Sequence, residues 1–545
     1  MSGRETHQPL YCQEAGQQGG FPLGLLGATG VLRSDYFYRF PWLILATALA
    51  LTGLGIAGIY AATAGGTDPE PFWDNLAAKQ LVFLGAALAV FVGALIPSYT
   101  RLARYSYLLY AVSLLALVGL AVMRKYRVEI PGFIYPTNYA YSWIAIPGTG
   151  QKLQPSELMK IGFILSLAYY LRFRKNYRTF AGLLIPFLMA LVPTALVLYQ
   201  PDLGTAMLFL PVLFLMLFAA GARGKHLLVI MAMGLALVPL FYSSMRGYQR
   251  MRIDSWLLEG CAERLHFALA QPEDEGADAA PGPDAPVAAP GAGQGAAPPA
   301  AKAGEAPGPQ ADAAAPRPRR AALSDERKAE LVREVTGMWR FRLWRLATTV
   351  SWGEDKAEFV EARQNLFKAL EQGPGPESFR ALRFFFGSLL DDPGHQLFQA
   401  KVAVGAGGLT GRGWLAGTQT RYGLLPEAHT DFLYPTLAEQ FGFLGAAGIV
   451  LLYGLVCLLG VDVSLSTTEP YGKLLVVGVV ALVAAQSFLN IAMSIGMMPI
   501  TGVPLPLMSY GGSSLVSSFL ALGLLCNVAV RRLYLIAPRP FEWRE

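Results

Sequence analysis

Charge is scarce in this chain of 545 residues. Only 15% of the residues are Asp, Glu, Lys or Arg, whereas 53% are hydrophobic and the mean hydropathy is +0.39. Soluble globular domains carry about 25% charged residues, so this deficit argues against a soluble enzyme. Apolar runs of roughly 17–25 residues, long enough to cross a bilayer, recur between short polar stretches. The composition predicts an all-α polytopic membrane protein.

Cysteine is also rare, and a signal-peptide pattern is missing. The topology derived below puts Cys12 inside the cell, Cys261 outside, and Cys457 and Cys526 within helices. No two of them share an oxidising compartment, so we expect no intramolecular disulfide.

Residues 1–40 lack the short apolar core and small-residue cleavage site of a signal peptide, so the first apolar run is expected to stay in the membrane as a signal anchor.

Ten apolar runs are candidate membrane-spanning helices. They cover 41–62, 79–97, 106–123, 156–171, 181–199, 203–220, 227–243, 435–460, 472–492 and 511–530. Basic residues flank them mainly in the loops that a cytoplasmic N-terminus would place inside. This pattern predicts two cytoplasmic tails, 1–40 and 536–545, and it accounts for the formal net charge of +6 without a nucleic acid partner.

The loop between the seventh and eighth runs, 244–434, is predicted to be extracytoplasmic and is far longer than an ordinary connection. Its stretch 271–320 is dominated by Ala, Gly and Pro, which predicts a disordered linker. Residues 324–390 then show helical patterns that begin with Ser324 as a candidate N-cap. We therefore expect a small helical insert, followed by a loop segment at 396–434.

Charged residues at membrane depth cost at least about 2.5–3.5 kcal/mol each on insertion scales, so each requires a partner or a function. Glu157 and Lys160 are three residues apart on the fourth predicted helix, close enough to pair. A self-neutralising pair and a functional pair are equally good interpretations. Asp202 follows a proline between two apolar runs, where capping of the next helix is favoured over catalysis.

The segment 490–518 combines three prolines within eight residues, 499–506, with a Tyr-Gly-Gly-Ser-Ser start of the last helix at 510–514. Non-helical backbone at membrane depth is tolerated when it is buried in protein or lines a cavity. The N–H groups at the start of a helix favour an anion such as phosphate. A glycine-rich helix start alone is a weak indication of such a site.

The stretch LLPEAHTDFLYPTLAEQFGF (424–443) places Glu427, His429 and Asp431 directly before the eighth predicted helix. Glu439 follows Asp431 by eight residues, which is about 80° around a helix, so we expect both side chains to face one cleft. The alternatives from the pattern alone are an N-capping Asp431, a solvated Glu427 and a locally hydrogen-bonded His429.

Five motifs, in this order, resemble the SEDS family of cell-wall polymerases, and within it the elongation (RodA-like) branch. They are QPSELMK (154–160), QPDLGTA (200–206), YQRMRI (248–253), GAGGLTGRGWLAGTQTRYGLLPEAHTDFLYPTLAEQFGFLG (405–445) and GMMPITGVPLPLMSYGGSS (496–514). The resemblance covers about 40–253 and 396–535. It implies an inverting peptidoglycan glycosyltransferase of the bacterial cytoplasmic (inner) membrane, which polymerises lipid II at the outer face during cell elongation and shape maintenance.

The resemblance also implies roles for individual residues. Asp431 becomes the general base for the acceptor's 4-hydroxyl, with Glu439 as a second catalytic carboxylate and undecaprenyl pyrophosphate as the leaving group. The residues implied in substrate binding are Lys401, Arg412, Lys152, Glu157, Lys160, Asp202, Arg250, Arg252, Glu427, His429, Ser509, Gly511, Gly512 and Ser513. Because a free Asp has a pKa near 3.9 and is a weak base, a divalent cation (Mg²⁺ or Mn²⁺) at Asp431 stays an open alternative, and no other cofactor is expected.

The chain departs from the family pattern in several places. The sequence Tyr141-Ser142-Trp143 lacks the family's usual Arg before the Trp, Gln440 replaces a second glutamate, and about 140 residues are inserted between Ile253 and Gln396. The partner implied is a class B penicillin-binding protein, a transpeptidase. Two alternatives are a lipid II flippase, which has no need of a base at Asp431, and a non-catalytic scaffold for that transpeptidase.

Overall fold

The computed structural model describes residues 40–63, 75–126, 142–146, 151–174, 178–245, 249–261, 324–345, 357–389 and 395–531, except 251, 259, 339 and 343. The predicted linker 271–320 and Cys12 lie outside them. The chain divides into two compact units, one running up to Phe241 and resuming at His395, the other covering Tyr242–Gly394.

Helices make up nearly all of the described secondary structure. In chain order the elements are α1 (Trp42–Thr63), α2 (Leu76–Leu95), α3 (Tyr99–Tyr126), β1 (Ile144–Ile146), β2 (Gln151–Leu153), α4 (Pro155–Arg172), α5 (Phe180–Tyr199), α6 (Leu203–Ala220), α7 (Gly224–Ala236), α8 (Val238–Ser244), α9 (Asp325–Gly337), α10 (Ala357–Glu371), α11 (Pro376–Leu389), α12 (His395–Gly407), α13 (Thr418–Arg421), α14 (Leu433–Ser466), α15 (Pro470–Ser494) and α16 (Gly512–Arg531). The strands β1 and β2 form an antiparallel hairpin. The predicted all-α class is confirmed.

Eight helices, α1 to α3, α5, α6 and α14 to α16, are long and apolar enough to cross a membrane. The other two predicted spans are also helical but depart from that pattern. Helix α4 has 18 residues and carries Glu157, Lys160 and Arg172, and the run 227–243 is divided at Leu237 between α7 and α8. The polytopic membrane fold is therefore confirmed, with eight regular spans among the described residues where ten were expected.

The core of the first unit is built around α4, α15 and α16, whose residues are buried on most sides. Helix α16 packs chiefly against α2, and α14 packs against α15 and α1. Helices buried all round are expected at the centre of a membrane bundle. Polar side chains on these central helices, such as Glu157 and Lys160 on α4, are therefore shielded from lipid.

The second unit has its own apolar core. Phe341, Trp344 and Phe385 are each at most 1% exposed, and helices α10 and α11 pack against each other, as do α9 and α11. The hydroxyl of Ser324 accepts a hydrogen bond from the Arg327 N–H (3.3 Å), so Ser324 is the N-cap of α9. The insert is thus a packed helical body by itself.

Candidate active site

Asp431 lies in a tight turn of residues 427–432, called the Asp431 turn below, directly before α14. Glu427 has φ +51°, and its carbonyl accepts hydrogen bonds from the N–H groups of Thr430 (3.1 Å) and Phe432 (3.3 Å). Left-handed backbone in a non-glycine residue costs about 1–2 kcal/mol and is commonly retained at functional sites. The N-cap residue of α14 is Phe432, so Asp431, which is partly exposed, does not occupy the capping position.

Glu439 is fully buried, and its carboxylate binds the start of α13. Oε1 accepts a hydrogen bond from the Gln419 N–H (2.8 Å), and Oε2 accepts from the N–H (3.1 Å) and the hydroxyl (2.8 Å) of Thr420. A Cβ at Gly417 would lie 2.4 Å from Oε2, so glycine is what allows this approach. Glu439 therefore holds the loop in place, and its catalytic role stays a prediction.

Helix α14 is broken at Gly442 (φ +66°, ψ −164°), a break that the sequence did not indicate. Four hydrogen bonds join this region to the loop after α12: Phe443 N–H to Gly408 O (2.8 Å), Leu444 N–H to Leu409 O (3.1 Å), Arg412 N–H to Glu439 O (2.9 Å) and Gly413 N–H to Gln440 O (3.1 Å). We call this pairing of 407–413 with 438–444 the loop–helix junction. Backbone groups freed by a helix break at membrane depth need such partners.

Substituting Glu439 should loosen the loop that it holds. Glu439→Gln replaces one carboxylate oxygen by an NH₂ group, which then faces a donor of Gln419 or of Thr420. Leaving a buried donor unsatisfied costs about 1–3 kcal/mol, so we expect faster hydrogen exchange and proteolysis in 412–424. Glu427→Gln is the control, because it keeps an acceptor oxygen for the Thr430 hydroxyl (3.0 Å). Equal exchange rates in the two variants would contradict this function of Glu439.

A buried polar cluster, defined as Glu157, Lys160, Gln486 and Ser517, lies between α4, α15 and α16. Glu157 and Lys160 form an ion pair (2.8 Å), the Ser517 hydroxyl donates to Glu157 Oε2 (2.5 Å), and Lys160 donates to Gln486 Oε1 (3.4 Å). All four residues are at most 5% exposed. The predicted pairing is confirmed. The two charges neutralise each other inside the bundle and do not need a ligand as a partner. Direct contact of the pair with substrate stays a prediction.

Asp202 and Ser513 connect the β1–β2 hairpin to two helices. Asp202 Oδ1 accepts from the Thr205 N–H (3.0 Å) as the N-cap of α6, as the capping interpretation predicts, and its Oδ2 accepts from the Gln154 side chain (2.9 Å). The Ser513 hydroxyl donates to Lys152 O (2.9 Å) and accepts from the Gln154 N–H (3.3 Å). Both side chains therefore hold the hairpin, which carries Lys152.

The start of α16 is held by Gln80 of α2. The fully buried Gln80 side chain donates to Ser509 O (3.1 Å) and accepts from the Gly511 N–H (3.2 Å). Gly511 has φ +154°, which glycine adopts more readily than residues with a Cβ. The Gly511 N–H is engaged by protein, and an anion at the helix start 511–514 stays a prediction.

The predicted cationic residues differ in their surroundings. Arg412 is exposed, and its Nε donates to Ala406 O (2.7 Å). Lys401 on α12 and Lys152 on β2 are partly buried. Within the described residues, no three His, Cys, Asp or Glu side chains come together as a metal-binding group. Arg412 is thus the most accessible of these three cations.

The arginines of the YQRMRI motif belong to the second unit. Arg250 is 2% exposed, its Nε donates to Tyr242 O (3.1 Å), and its guanidinium lies over the Tyr242 ring (5.9 Å). Arg252 is partly exposed. The contacts of Arg250 are those of a packed side chain, and binding roles for both arginines stay predictions.

Burial disfavours the protonated imidazole of His429. Burial lowers the pKa of its imidazole, an effect that the nearby Glu427 carboxylate opposes without reversing. The ring stands edge-on to Tyr510, with centroids 5.8 Å apart. His429 is therefore packed against the segment before α16, and its role in substrate binding stays a prediction.

Three of the buried carboxamides that the sequence analysis did not single out hold parts of the candidate site: Gln80, Gln486 and Asn490. Each is at most 3% exposed and lies in an apolar helix. A polar residue inside an apolar run has an unfavourable free energy of membrane insertion. On that ground all three carboxamides could have been singled out from the sequence.

Comparison with known proteins identifies the family. The family model described as "Cell cycle protein" (FtsW/RodA/SpoVE) matches residues 41–262 and 380–534. The peptidoglycan glycosyltransferase RodA of Treponema pallidum is 28% identical over 504 residues, which span 91% of this chain and 98% of that protein. The probable peptidoglycan glycosyltransferase FtsW of Geobacter sulfurreducens is 26% identical over 499 residues, 90% of this chain and 96% of that protein.

A solved structure supports the same fold. It comes from a study of "structural coordination of polymerization and crosslinking by a peptidoglycan synthase complex", and its matching chain is 22% identical, with a TM-score of 0.54 over 90% of this chain and 97% of that chain. Since the family model covers most of the chain and its membrane helices, the protein belongs to the FtsW/RodA/SpoVE family, which is the SEDS family predicted from its motifs.

Proposed function

We propose that this protein is a peptidoglycan glycosyltransferase that polymerises lipid II at the outer face of the bacterial cytoplasmic membrane during cell elongation and shape maintenance. Two relatives that align with about nine tenths of the chain are named peptidoglycan glycosyltransferases. The observation that carries the proposal is Asp431 itself, a partly exposed carboxylate in a strained turn at the end of a membrane helix. Strained turns that present a single reactive side chain are typical of active sites.

In the proposed step, Asp431 accepts the proton of the acceptor's 4-hydroxyl while that oxygen attacks the anomeric carbon of the donor. The bond from this carbon to the diphosphate breaks, and its electron pair leaves with undecaprenyl pyrophosphate. One glycosidic bond replaces one anomeric phosphate bond, and a single displacement inverts the configuration. A positioned general base contributes about 10²–10⁴-fold to such a transfer.

The leaving diphosphate needs positive charge, since stabilising the charge that develops in the transition state is often the largest catalytic term. Arg412 and Lys401 are the first candidates. Arg412 lies in the loop–helix junction, and Lys401 lies on α12, which packs against α14, the helix that Asp431 precedes. Mg²⁺ is commonly held by one or two carboxylates together with substrate phosphates. A divalent cation shared by Asp431 and the diphosphate would supply further charge neutralisation.

The shape of the bundle supports a lipid-linked substrate. An apolar cavity of about 560 Å³ lies between α2, α3, α4 and α16. Ile161 and Leu165 line it one and two turns beyond Glu157 on α4, and Leu520 lines it one turn beyond Ser517 on α16. This apolar lining suits the alkyl chain of a lipid-linked substrate.

The proposed partner is a class B penicillin-binding protein. The solved chain of similar fold comes from a complex in which polymerization and crosslinking are coordinated, and a transpeptidase supplies the crosslinking in such a pair. The basic loops support cytoplasmic termini. With that topology, Asp431 lies on the outer side of the membrane, where we propose that glycan strands are assembled.

The test is the full-length protein in liposomes with labelled lipid II, with and without the transpeptidase and with and without Mg²⁺ or Mn²⁺. We expect glycan chains to accumulate. Movement of lipid II across the bilayer without polymer would identify a flippase instead. If neither polymer nor lipid II movement is detected and the crosslinking rate of the transpeptidase still depends on this chain, the protein is a scaffold.

A further inference from the structure

Three consecutive backbone carbonyls of the Asp431 turn accept hydrogen bonds from outside the turn. The three bonds are Tyr510 N–H to His429 O (3.0 Å), Ser509 hydroxyl to Thr430 O (2.6 Å) and Asn490 Nδ2 to Asp431 O (2.8 Å). The first two donors are neighbours in the segment before α16, whereas Asn490 belongs to α15. The backbone of the turn is thus fixed by two separate elements of the bundle.

Asn490 is the donor that reaches the Asp431 carbonyl. It is fully buried, and its Nδ2 also donates to Val503 O (2.7 Å), so both of its N–H groups are used. Its Oδ1 is buried and has no hydrogen-bond partner within the described part of the chain. Burying a carboxamide with an unsatisfied oxygen is unfavourable. Packing alone would therefore favour an apolar residue at this position.

Gln486, one turn earlier on α15, extends the same set of contacts. Its Nε2 donates to Pro504 O (2.9 Å), and its Oε1 accepts from Lys160 (3.4 Å). Val503 and Pro504 are adjacent, so Asn490 and Gln486 bind successive carbonyls of one loop. Hydrogen bonds therefore lead from the buried polar cluster to the Asp431 turn through two amides that lie four residues apart on one helix face.

We propose that Asn490 is a positioning residue for Asp431; the proposal rests on the role of Asp431 as the base. A carbonyl carbon is bonded directly to its own Cα, so a hydrogen bond at the Asp431 carbonyl restrains the Cα from which the carboxylate extends. Proton transfer requires that the base stay within hydrogen-bond reach of the hydroxyl. A displacement of about 1 Å can lower a rate about 10²-fold, so a base that drifts on its turn is a poor catalyst.

The first test is Asn490→Leu in the full-length protein with lipid II, which removes both donors and keeps a similar side-chain volume. We expect turnover to fall about 10–100-fold, with KM changed by less than about twofold because the substrate-binding groups are untouched. Ser487→Ala is the matched control, since Ser487 is buried in the same helix and its hydroxyl donates to Val483 O (2.7 Å); its turnover should stay near that of the unmodified protein. Unchanged turnover of Asn490→Leu, or a change in KM alone, would overturn the proposal.

Two further variants keep the test decisive. Asn490→Gln retains two N–H donors on a longer side chain and should have a turnover between those of the leucine variant and the unmodified protein. If the leucine variant does not fold, the glutamine variant still tests the proposal, because its turnover should be reduced. In an Asp431→Asn background, Asn490→Leu should lower the residual rate no further, because its effect passes through the missing carboxylate. A second loss of the same size would show that Asn490 acts elsewhere, whereas a fully active Asp431→Asn single variant would remove the base assignment itself.

Discussion

Asp431→Asn should lower the rate of glycan polymerisation about 10²–10⁴-fold, the range expected when a general base is lost. Asparagine has nearly the same volume as aspartate, but its amide cannot accept the proton of the acceptor hydroxyl. The bond from Asn490 goes to the backbone carbonyl of residue 431, so the turn should keep its conformation. The measurement is the initial rate of glycan formation from labelled lipid II, with thermal stability recorded in parallel.

The matched control for that substitution is Asp462→Asn. Asp462 is an exposed carboxylate near the other end of α14, so it undergoes the same chemical change far along the helix from the Asp431 turn. We expect its polymerisation rate to stay close to that of the unmodified protein. Loss of a general base lowers a rate about 10²–10⁴-fold. If Asp431→Asn retains more than about one tenth of the normal rate, Asp431 is not the base.

Gly411→Ala should have the largest effect on folding, because Gly411 lies in the loop–helix junction with φ +88°. Its added Cβ would lie 2.0 Å from the Gln440 carbonyl oxygen and 2.7 Å from the carbonyl carbon of Phe441. The left-handed backbone adds about 1–2 kcal/mol for a residue with a Cβ, and overpacking adds about 1–3 kcal/mol or more. We expect a marked fall in melting temperature and in the yield of folded protein.

Gly405→Ala separates this effect from a general intolerance of alanine. Gly405 lies in α12, and a Cβ there would have no neighbour within 4 Å. Alanine is favoured over glycine in a helix by up to about 1 kcal/mol, so the melting temperature should hold or rise slightly. If the two variants melt alike, the loop–helix junction does not depend on close backbone contact.

Much of the fold was predictable because apolar runs of span length have few alternatives in a membrane. The break at Gly442 was not, because the run 435–460 is apolar on both sides of it and the cause is pairing with residues 407–413. Local sequence contains no signal for a partner thirty residues away.

In the candidate site too, contacts between residues close in sequence were predictable and contacts between distant residues were not. The capping of α6 by Asp202 and the pairing of Glu157 with Lys160 depend on neighbours within three residues, and both were predicted. For Glu439, an ideal helix continued from Asp431 predicts a shared cleft, whereas its actual partners Gln419 and Thr420 are about twenty residues earlier. Contacts made across the bundle depend on tertiary packing, which periodicity does not encode.

The anchoring of the Asp431 turn through its carbonyl oxygens has an evolutionary consequence. Every amino acid offers the same carbonyl, so these bonds do not constrain which side chains occupy positions 429 and 430. The donors are different, since a hydroxyl at 509 and a carboxamide at 490 have few chemical substitutes. Substitution at 429 or 430 therefore leaves these bonds in place, whereas substitution at either side-chain donor removes one. The surroundings of the reactive carboxylate can thus change while its backbone stays fixed.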